Sequence, residues 1–502
     1  MSIKLPLDTT LQPATLEFLA STPKKLLIGG EWISAASGET FGVVNPATGE
    51  EIARVALAGT GDVDQAVSAA RNAFEHGSWS TFSGEERGHL LWKLAELVEA
   101  HADELAELET LDNGKPLRVA RHGDLPQAVK HFRYYAGLAG KIEGSTIPVS
   151  FPNQFVYTHR EPMGVVGLII PWNFPLLMAA WKLAPALAAG NTTILKPAEE
   201  TPLSALRLGE LIAEAGFPAG VVNILTGPGL PTGAAIVSHM GVDKVAFTGS
   251  TDVGREIMKN AALSNLKRVS LELGGKSPNV IFADADLPKA IKGANWAVFS
   301  TAGQECVAGS RLFIERPVYD QVLEGLASEA QRIRVGSGFT PKIHVGPLVS
   351  DIQLQRVMGY IERGRQNGVE IVTGGERPGG ELSDGYFLSP TIFTHQDDTL
   401  PLVQEEIFGP VVAVTAFDDW SELLGRANQT RYGLAAGVWT RDVSKAHRFA
   451  QAIRAGTVWV NSYGLFDPAA PFGGYKESGF GREMGQEALD LYTQTKTVWV
   501  GL

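Results

Sequence analysis

Between Val165 and Leu273 the chain alternates short β-rich runs with runs of helical spacing, and this alternation restricts the fold more than any other feature. The candidate strands are Val165–Ile170, Thr192–Lys196, Val221–Leu225, Lys244–Thr248 and Arg268–Leu273. Between them, Leu176–Ala189, Pro202–Ala215, Thr232–His239 and Thr251–Ala262 read as helices. Strands joined by helical crossovers pair in parallel, so the pattern predicts an α/β fold: a doubly wound parallel sheet with helices on both faces. Ligands bind such sheets beyond the carboxyl ends of the strands. After Gly274 the pattern starts afresh, with strands near Asn279–Phe282 and Arg311–Ile314 and helices near Leu287–Thr301 and Val318–Ile333. A second α/β domain follows from it. Upstream, Asp62–Phe74 reads as a helix with Asp62 as its N-cap, and a second amphipathic run from Glu85 to Leu111 stops at Asn113-Gly114.

A length of 502 residues suggests two or three domains, and 44% hydrophobic with 20% charged residues is the composition of a folded globular chain. The formal charge of −12, with no cluster of Lys and Arg, argues against nucleic-acid and anionic-membrane partners. The amino-terminal MSIKLPLDTTLQP lacks the basic and apolar regions of a leader peptide, and no apolar run reaches the roughly 18 residues of a spanning helix. A cytoplasmic address is expected. The single cysteine, Cys306, can form neither an internal disulfide nor a Cys-rich metal site, and no metal is expected.

Cys306 stands in Gly303-Gln304-Glu305-Cys306-Val307-Ala308-Gly309-Ser310-Arg311. A lone cysteine is usually a buried small hydrophobe. Here polar and glycine-rich neighbours instead leave the backbone free to approach a ligand, which favours a nucleophile. Glu272, in Val269-Ser270-Leu271-Glu272-Leu273-Gly274-Gly275, could occupy the exposed face of an edge strand. Desolvated at the strand's end, it would have a raised pKa and could act as a base. Asn173 follows a strand in Pro171-Trp172-Asn173-Phe174-Pro175; the segment has the make-up of an ordinary loop, but beside a nucleophile its amide is a sensible oxyanion donor. Phe247-Thr248-Gly249-Ser250-Thr251-Asp252-Val253-Gly254 leaves a strand and opens a helix, a place that favours phosphate. Lys196 and Glu199, just past another strand, could hydrogen-bond ribose hydroxyls or form a solvated turn.

Taken together, PWNFP, KPAEETP, FTGST, LELGGKSP, GQECVAGSR, EEIFGP and PFGGYKESG occur in the order and spacing of the aldehyde dehydrogenase superfamily, and the chain resembles that family over nearly its whole length. The resemblance implies a Rossmann-like NAD-binding domain (1–139 and 161–274), a catalytic domain (275–480), and small β oligomerisation arms (140–160 and 490–502). It makes Cys306 the nucleophile, Glu272 the general base, and Asn173 with the Cys306 backbone N–H the oxyanion hole. Lys182 and Glu483 match positions that help relay protons. Cofactor contacts are implied at Ile169, Ile170, Trp172, Lys196, Glu199 and Gly229. Phe247, Gly249, Ser250 and Val253 continue that edge, and Leu273, Glu406 and Phe408 close it. A carboxylate at Glu199 accepts from the free 2′-hydroxyl of NAD and repels the phosphate of NADP.

The reaction so implied is thiolate addition to an aldehyde, hydride loss to the nicotinamide, and hydrolysis of a Cys306 thioester by water that Glu272 deprotonates. Relatives that release acyl-CoA lack a base at the Glu272 position, so the free acid is the expected product. A non-catalytic structural protein on this fold has no need for Cys306, Glu272 and Asn173 together. The substrate tunnel is implied to be lined by Phe174, Met178, Trp181, Ser300, Phe466 and Phe472, with Glu305 beside the nucleophile. Such a lining suits a hydrophobic or aromatic aldehyde. Ala455–Ser462 with Asp467 is most similar to the phenylacetaldehyde dehydrogenase branch, whereas Glu305 could attract a cationic aminoaldehyde of the betaine-aldehyde type, and straight-chain aldehydes remain an alternative. The arms imply a homo-oligomer, a dimer or tetramer, with strands paired between subunits. In the last arm Tyr492, Gln494, Lys496, Val498 and Val500 share one face, with Thr493, Thr495, Thr497 and Trp499 on the other.

Overall fold

The structure is a computed structural model and describes residues 4–6 and 9–502; residues 1–3 and 7–8, part of the stretch read above for a leader and of the first expected domain, lie outside the described residues. Five parallel strands form the centre of the first sheet, in the order Val222–Ile224, Thr192–Lys196, Val165–Ile169, Lys244–Thr248, Arg268–Glu272. All five were legible as strands to within a residue at either end. Four are buried along almost their whole length, as a sheet covered by helices on both faces requires. The chain runs outward from Val165–Ile169 in one direction and then returns to add Lys244–Thr248 on its other side. The order therefore reverses between those two strands, and the crevice beyond their carboxyl ends is where such sheets bind ligands.

Antiparallel strands close the sheet at both edges. Leu26–Ile28 and Glu31–Ile33 cover one side, and Gly479–Phe480 pairs with Arg268–Glu272 on the other, Glu272 opposite Gly479. This last strand comes from the segment expected to belong wholly to the second domain. It removes Glu272 from the exposed edge position that its alternating pattern allowed. The second sheet has seven strands, parallel apart from Glu370–Thr373 at one edge, with Pro278–Ile281 and Arg311–Glu315 adjacent near its middle.

Several local expectations are corrected. The first long helix spans Thr60–Glu75, and Asp62 sits in its first turn rather than at the N-cap; its carboxylate accepts from the Gly59 N–H at 2.8 Å, closing a capping box from the other end. The run from Glu85 to Leu111 is two helices, Gly84–Ala100 and Ala102–Asn113, broken at His101. The helix–turn at Thr232–His239 is only one turn of α-helix, Ala234–Ser238. The helices Pro13–Ala20 and Leu125–Leu138 were not anticipated. Tyr492 caps the helix Glu487–Leu491 and is buried, so the terminal strand begins at Thr493. That strand, Thr493–Gly501, pairs antiparallel with Gln154–Pro162 of the same chain along its whole length, and Thr146–Ile147 completes a three-stranded arm. The arm segments thus find each other within one chain rather than only across subunits.

Helix Pro175–Ala188 is buried on every side, wedged between the first sheet and helix Leu125–Leu138. It starts where it does because Pro175 supplies a preset φ at the first helical position. Among the described residues no helix is long and apolar enough to cross a membrane, and no cluster of His, Cys, Asp and Glu could hold a metal.

Candidate active site

The carboxyl edge of the first sheet faces the amino edge of the second across a cavity of about 630 Å³. Cys306 lies in it, on the loop that leads into Arg311–Glu315; Glu272 enters from the end of its strand, and Asn173 from the loop after Val165–Ile169. Three residues far apart in sequence meet because each ends or begins a strand at one of the two facing edges.

The cysteine loop is held in an unusual conformation. Helix Leu287–Phe299 stops at Ser300, and Thr301, Ala302 and Gly303 follow with φ of +48°, +56° and +69°. Two successive non-glycine residues in the left-handed region cost energy and survive only where packing dictates them. The fit around Gly303 is equally close: a side chain there would overlap the Gly409 carbonyl. A Cβ on Gly275 would strike the Cys306 carbonyl oxygen. Gly275 therefore lets the strand-end backbone lie directly against the Cys306 backbone. Asn173 Nδ2 donates one hydrogen to the Gln304 carbonyl at 2.9 Å, which fixes the amide beside the loop and leaves its second hydrogen for a ligand.

Burial dominates the electrostatics. It pushes the Cys306 thiol up, and Glu406, Glu272 and Glu305 push it the same way. Burial, with help from Glu483, holds the Glu272 carboxyl well above the usual carboxylate range, opposed by Lys182 and Arg482. Glu272 Oε2 has no hydrogen-bond partner. An unsolvated, unpaired carboxyl is a strong base once it gives up its proton. Behind it, Lys182 Nζ meets Glu483 Oε1 at 2.5 Å, both side chains buried. Neither residue lines the cavity, so this pair acts on the site only through Glu272.

All seven residues expected in the tunnel line the cavity: Phe174, Met178, Trp181, Ser300, Glu305, Phe466 and Phe472. Trp181, Phe466 and Phe472 form a mutually packed wall, with ring centroids 5.5 to 5.9 Å apart, and His131 stacks behind Trp181 at 5.6 Å. Burial lowers the His131 pKa to about 4, so this ring is neutral and the wall is apolar. The residues expected at the cofactor divide into two sets. Trp172, Gly249, Ser250, Leu273, Glu406 and Phe408 line the same cavity. Ile169, Ile170, Lys196, Glu199, Gly229, Phe247 and Val253 do not; they lie along the sheet's carboxyl edge, where Ile169 is in register with both Lys196 and Phe247. Lys196 is buried, donates to the Gly227 and Pro197 carbonyls at 2.6 and 2.7 Å, and stands 3.7 Å from the Glu199 carboxylate.

The cavity also has walls that the sequence reading missed. Residues 118–131 supply one side, and beneath them Lys115, fully buried, pairs with Glu109 at 2.7 Å and Asp124 at 2.5 Å and sits 4.5 Å from the centre of the Phe174 ring. The available signal was the lysine of Asn113-Gly114-Lys115-Pro116, placed directly after a helix stop whose Gly114 is left-handed.

Comparison with known proteins agrees with this geometry. The family model described as the aldehyde dehydrogenase family matches residues 32–498. An aldehyde dehydrogenase of Alternaria alternata is 51% identical over 490 residues, covering 98% of this chain and 97% of its own. The NAD+ complex structure of aldehyde dehydrogenase from Bacillus cereus superposes with a TM-score of 0.96 at 51% identity, over 98% of this chain and 99% of that one. Betaine aldehyde dehydrogenase from Staphylococcus aureus, also in complex with NAD+, superposes with a TM-score of 0.95 at 40% identity, over 98% and 97%. Built from two facing α/β sheets with a half-buried cysteine and a buried carboxyl and amide between them, this chain belongs to the aldehyde dehydrogenase family.

Proposed function

We propose that the protein oxidises a hydrophobic, preferably aromatic, aldehyde such as phenylacetaldehyde to its carboxylic acid, with NAD as the electron acceptor and water as the second substrate. The observation that carries the reading is the convergence of Cys306, Glu272 and Asn173 on one cavity whose far wall is Trp181, Phe466 and Phe472. The Cys306 sulfur, as thiolate, adds to the aldehyde carbon, and the Asn173 N–H not engaged by Gln304 holds the resulting oxyanion with the Cys306 backbone N–H. NAD, if held by Thr248, Ser250, Lys196 and Glu199, would supply the acceptor for the aldehyde C–H electron pair. Glu272 then takes one proton from water as the water oxygen attacks the thioester carbon; the C–S bond breaks, the carboxylic acid leaves and the thiolate is restored. Lys182 and Glu483 set the charge behind Glu272 and pass its proton on.

The residues at the sheet edge fit this cofactor. Thr248, which lines the cavity, has a buried hydroxyl without a partner, and Ser250 caps helix Thr251–Leu263, whose other first-turn N–H groups remain for a pyrophosphate. Glu199 would accept from a free ribose hydroxyl, with Lys196 beside it. By this reading residues 1–139 and 161–274 bind the cofactor, 275–480 carry the nucleophile, and the arms at 140–160 and 490–502 join subunits into a dimer or tetramer, in the cytoplasm.

The test is a panel of aldehydes assayed with NAD and NADP. Phenylacetaldehyde should give the highest kcat/KM with NAD, Glu199→Ala should narrow the NAD preference, and Cys306→Ala should abolish dehydrogenase activity. Retained activity in the Cys306 variant refutes the mechanism. A quaternary-ammonium aldehyde turned over far better than phenylacetaldehyde refutes the substrate class.

A further inference from the structure

Glu305, next to the nucleophile, has no role in the reaction above, yet its surroundings are specific. Ser300 Oγ lies 2.7 Å from the Trp296 carbonyl oxygen and 2.8 Å from Glu305 Oε1. A hydroxyl has one proton to give, and the Trp296 carbonyl can only accept. If Ser300 donated to an ionised Glu305, its oxygen would face the carbonyl lone pairs at contact distance with nothing between them. Both distances are satisfied when Ser300 donates to Trp296 and the Glu305 carboxyl donates to Ser300. That arrangement requires a proton on Glu305.

Of the groups around it, the helix end favours the neutral acid, while the Thr301 hydroxyl and Lys115 oppose it. Ser300 caps the carboxyl end of helix Leu287–Phe299, where the peptide dipoles place partial negative charge. From the elements packed against the carboxyl, the titratable groups that face it are Lys115, Tyr463 and the Cys306 thiol, with the Thr301 hydroxyl beside it. Lys115 is the only cation among them, and it is already committed to Glu109 and Asp124. Burial raises the Glu305 pKa and outweighs the Ser300 and Thr301 hydroxyls and Lys115, which lower it.

We propose that Glu305 stands in the aldehyde tunnel as a neutral carboxylic acid donating to Ser300 Oγ, and that it sets the charge preference of the site: uncharged aldehydes while it is protonated, cationic ones increasingly as it ionises. This rests on the cavity being the path of the aldehyde. Glu305 is thereby a specificity-determining group, and the aromatic wall of the same cavity supplies the uncharged half of the preference.

The test compares two aldehydes of the same shape, trimethylammonioacetaldehyde, charged at every pH, and its neutral isostere 3,3-dimethylbutanal. Both undergo the same chemistry at Cys306 and Glu272, so the ratio of their kcat/KM values cancels those titrations. In the unaltered enzyme the cation-to-neutral ratio should rise about tenfold or more with increasing pH, as expected for a new charge within a few ångströms. Glu305→Gln, which keeps size and donor, should make the ratio flat. The infrared difference spectrum between the two proteins should contain a protonated-carboxyl C=O band that fades over the same pH range. Ser300→Ala removes the acceptor that favours the neutral acid and should move the rise to lower pH. A flat ratio in the unaltered enzyme, a missing band, or a shift of the Ser300→Ala profile to higher pH overturns the proposal. Failure to oxidise either aldehyde would count against the tunnel reading, and the band, which needs no turnover, would still decide the state of Glu305.

Discussion

Replacing Lys182 by Met removes a charge and leaves a side chain of similar length in a fully packed helix. Its Nζ is 2.5 Å from Glu483 Oε1, with the side chains 1% and 5% exposed. At an effective dielectric near 20, Coulomb's law gives the pair an attraction of about 6–7 kcal/mol, most of which offsets the loss of hydration of two ions. Leaving the buried Glu483 without its ion-pair partner, with Lys244 and Glu272 still near it, should then cost about 3–5 kcal/mol of stability, seen as a lower urea midpoint. The same substitution reaches catalysis through Glu272. Lys182 opposes the rise of the Glu272 pKa and Glu483 reinforces it. Lys182→Met should therefore hold the Glu272 proton to higher pH, and the alkaline-rising limb of thioester hydrolysis should move up. Glu483→Gln should move that limb down, and Lys182→Met with Glu483→Gln should fall between them while recovering most of the lost stability. The assay is kcat against pH with an aldehyde whose acyl-enzyme accumulates, alongside urea unfolding. Limbs that shift in the same direction in the two single variants, or a cost below about 1 kcal/mol for Lys182→Met, would refute this account.

Two further outcomes follow from the geometry. Glu272→Gln should retain a single-turnover burst of reduced cofactor while steady turnover falls about 10²–10⁴-fold, the usual worth of a general base; because the Glu272 pKa is raised, its basic form grows as pH rises, so the deficit against the unaltered enzyme should widen with pH. A rapid-quench search for the trapped thioester checks it, and loss of the burst together with turnover would sink the assignment. Gly275→Ala should displace the Cys306 backbone, costing about 1–3 kcal/mol and lowering kcat more than it changes KM, because the new methyl meets the Cys306 carbonyl oxygen; steady-state kinetics with a melting curve would show it, and unchanged kcat would contradict it.

The central strands were legible because buried parallel strands are nearly continuous apolar runs, and little competes with that signal in VVGLI or KVAF. Cys306 and Glu272 were legible as candidates because each breaks the chemistry of its surroundings, while Asn173, in an ordinary-looking loop, stood out only beside the nucleophile candidate and through the resemblance. What escaped was decided by contacts across long sequence separations. Nothing local in Gly479-Phe480 says that it pairs with Leu271 and Glu272. Lys115 looks like a surface residue after a helix stop until Asp124 and Glu109 close on it. The direction of Glu305 was undetermined in sequence, since it depends on where Ser300 sends its one proton. The break at His101 inside one amphipathic run was hidden because both halves share the same apolar periodicity.

The strand at Gly479–Phe480 also has a consequence for biosynthesis. Residues 26–272 contain every other strand of the first sheet, so that sheet can assemble while the rest of the chain is still being translated. Until residue 480 has emerged, Arg268–Glu272 is an open edge with unpaired N–H and C=O groups, the kind of edge that recruits other nascent chains. The loop that must close is some two hundred residues long and contains an entire second sheet, so its closure comes late. The returning segment also brings the Ser478 carbonyl to the Leu273 N–H, Glu483 to Lys182, and the Gly485 carbonyl to the Tyr135 hydroxyl. The ribosome thus releases a chain in which Glu272 is the last part of the site to be buried, and a truncated product would keep a folded sheet and an intact cysteine without a working enzyme.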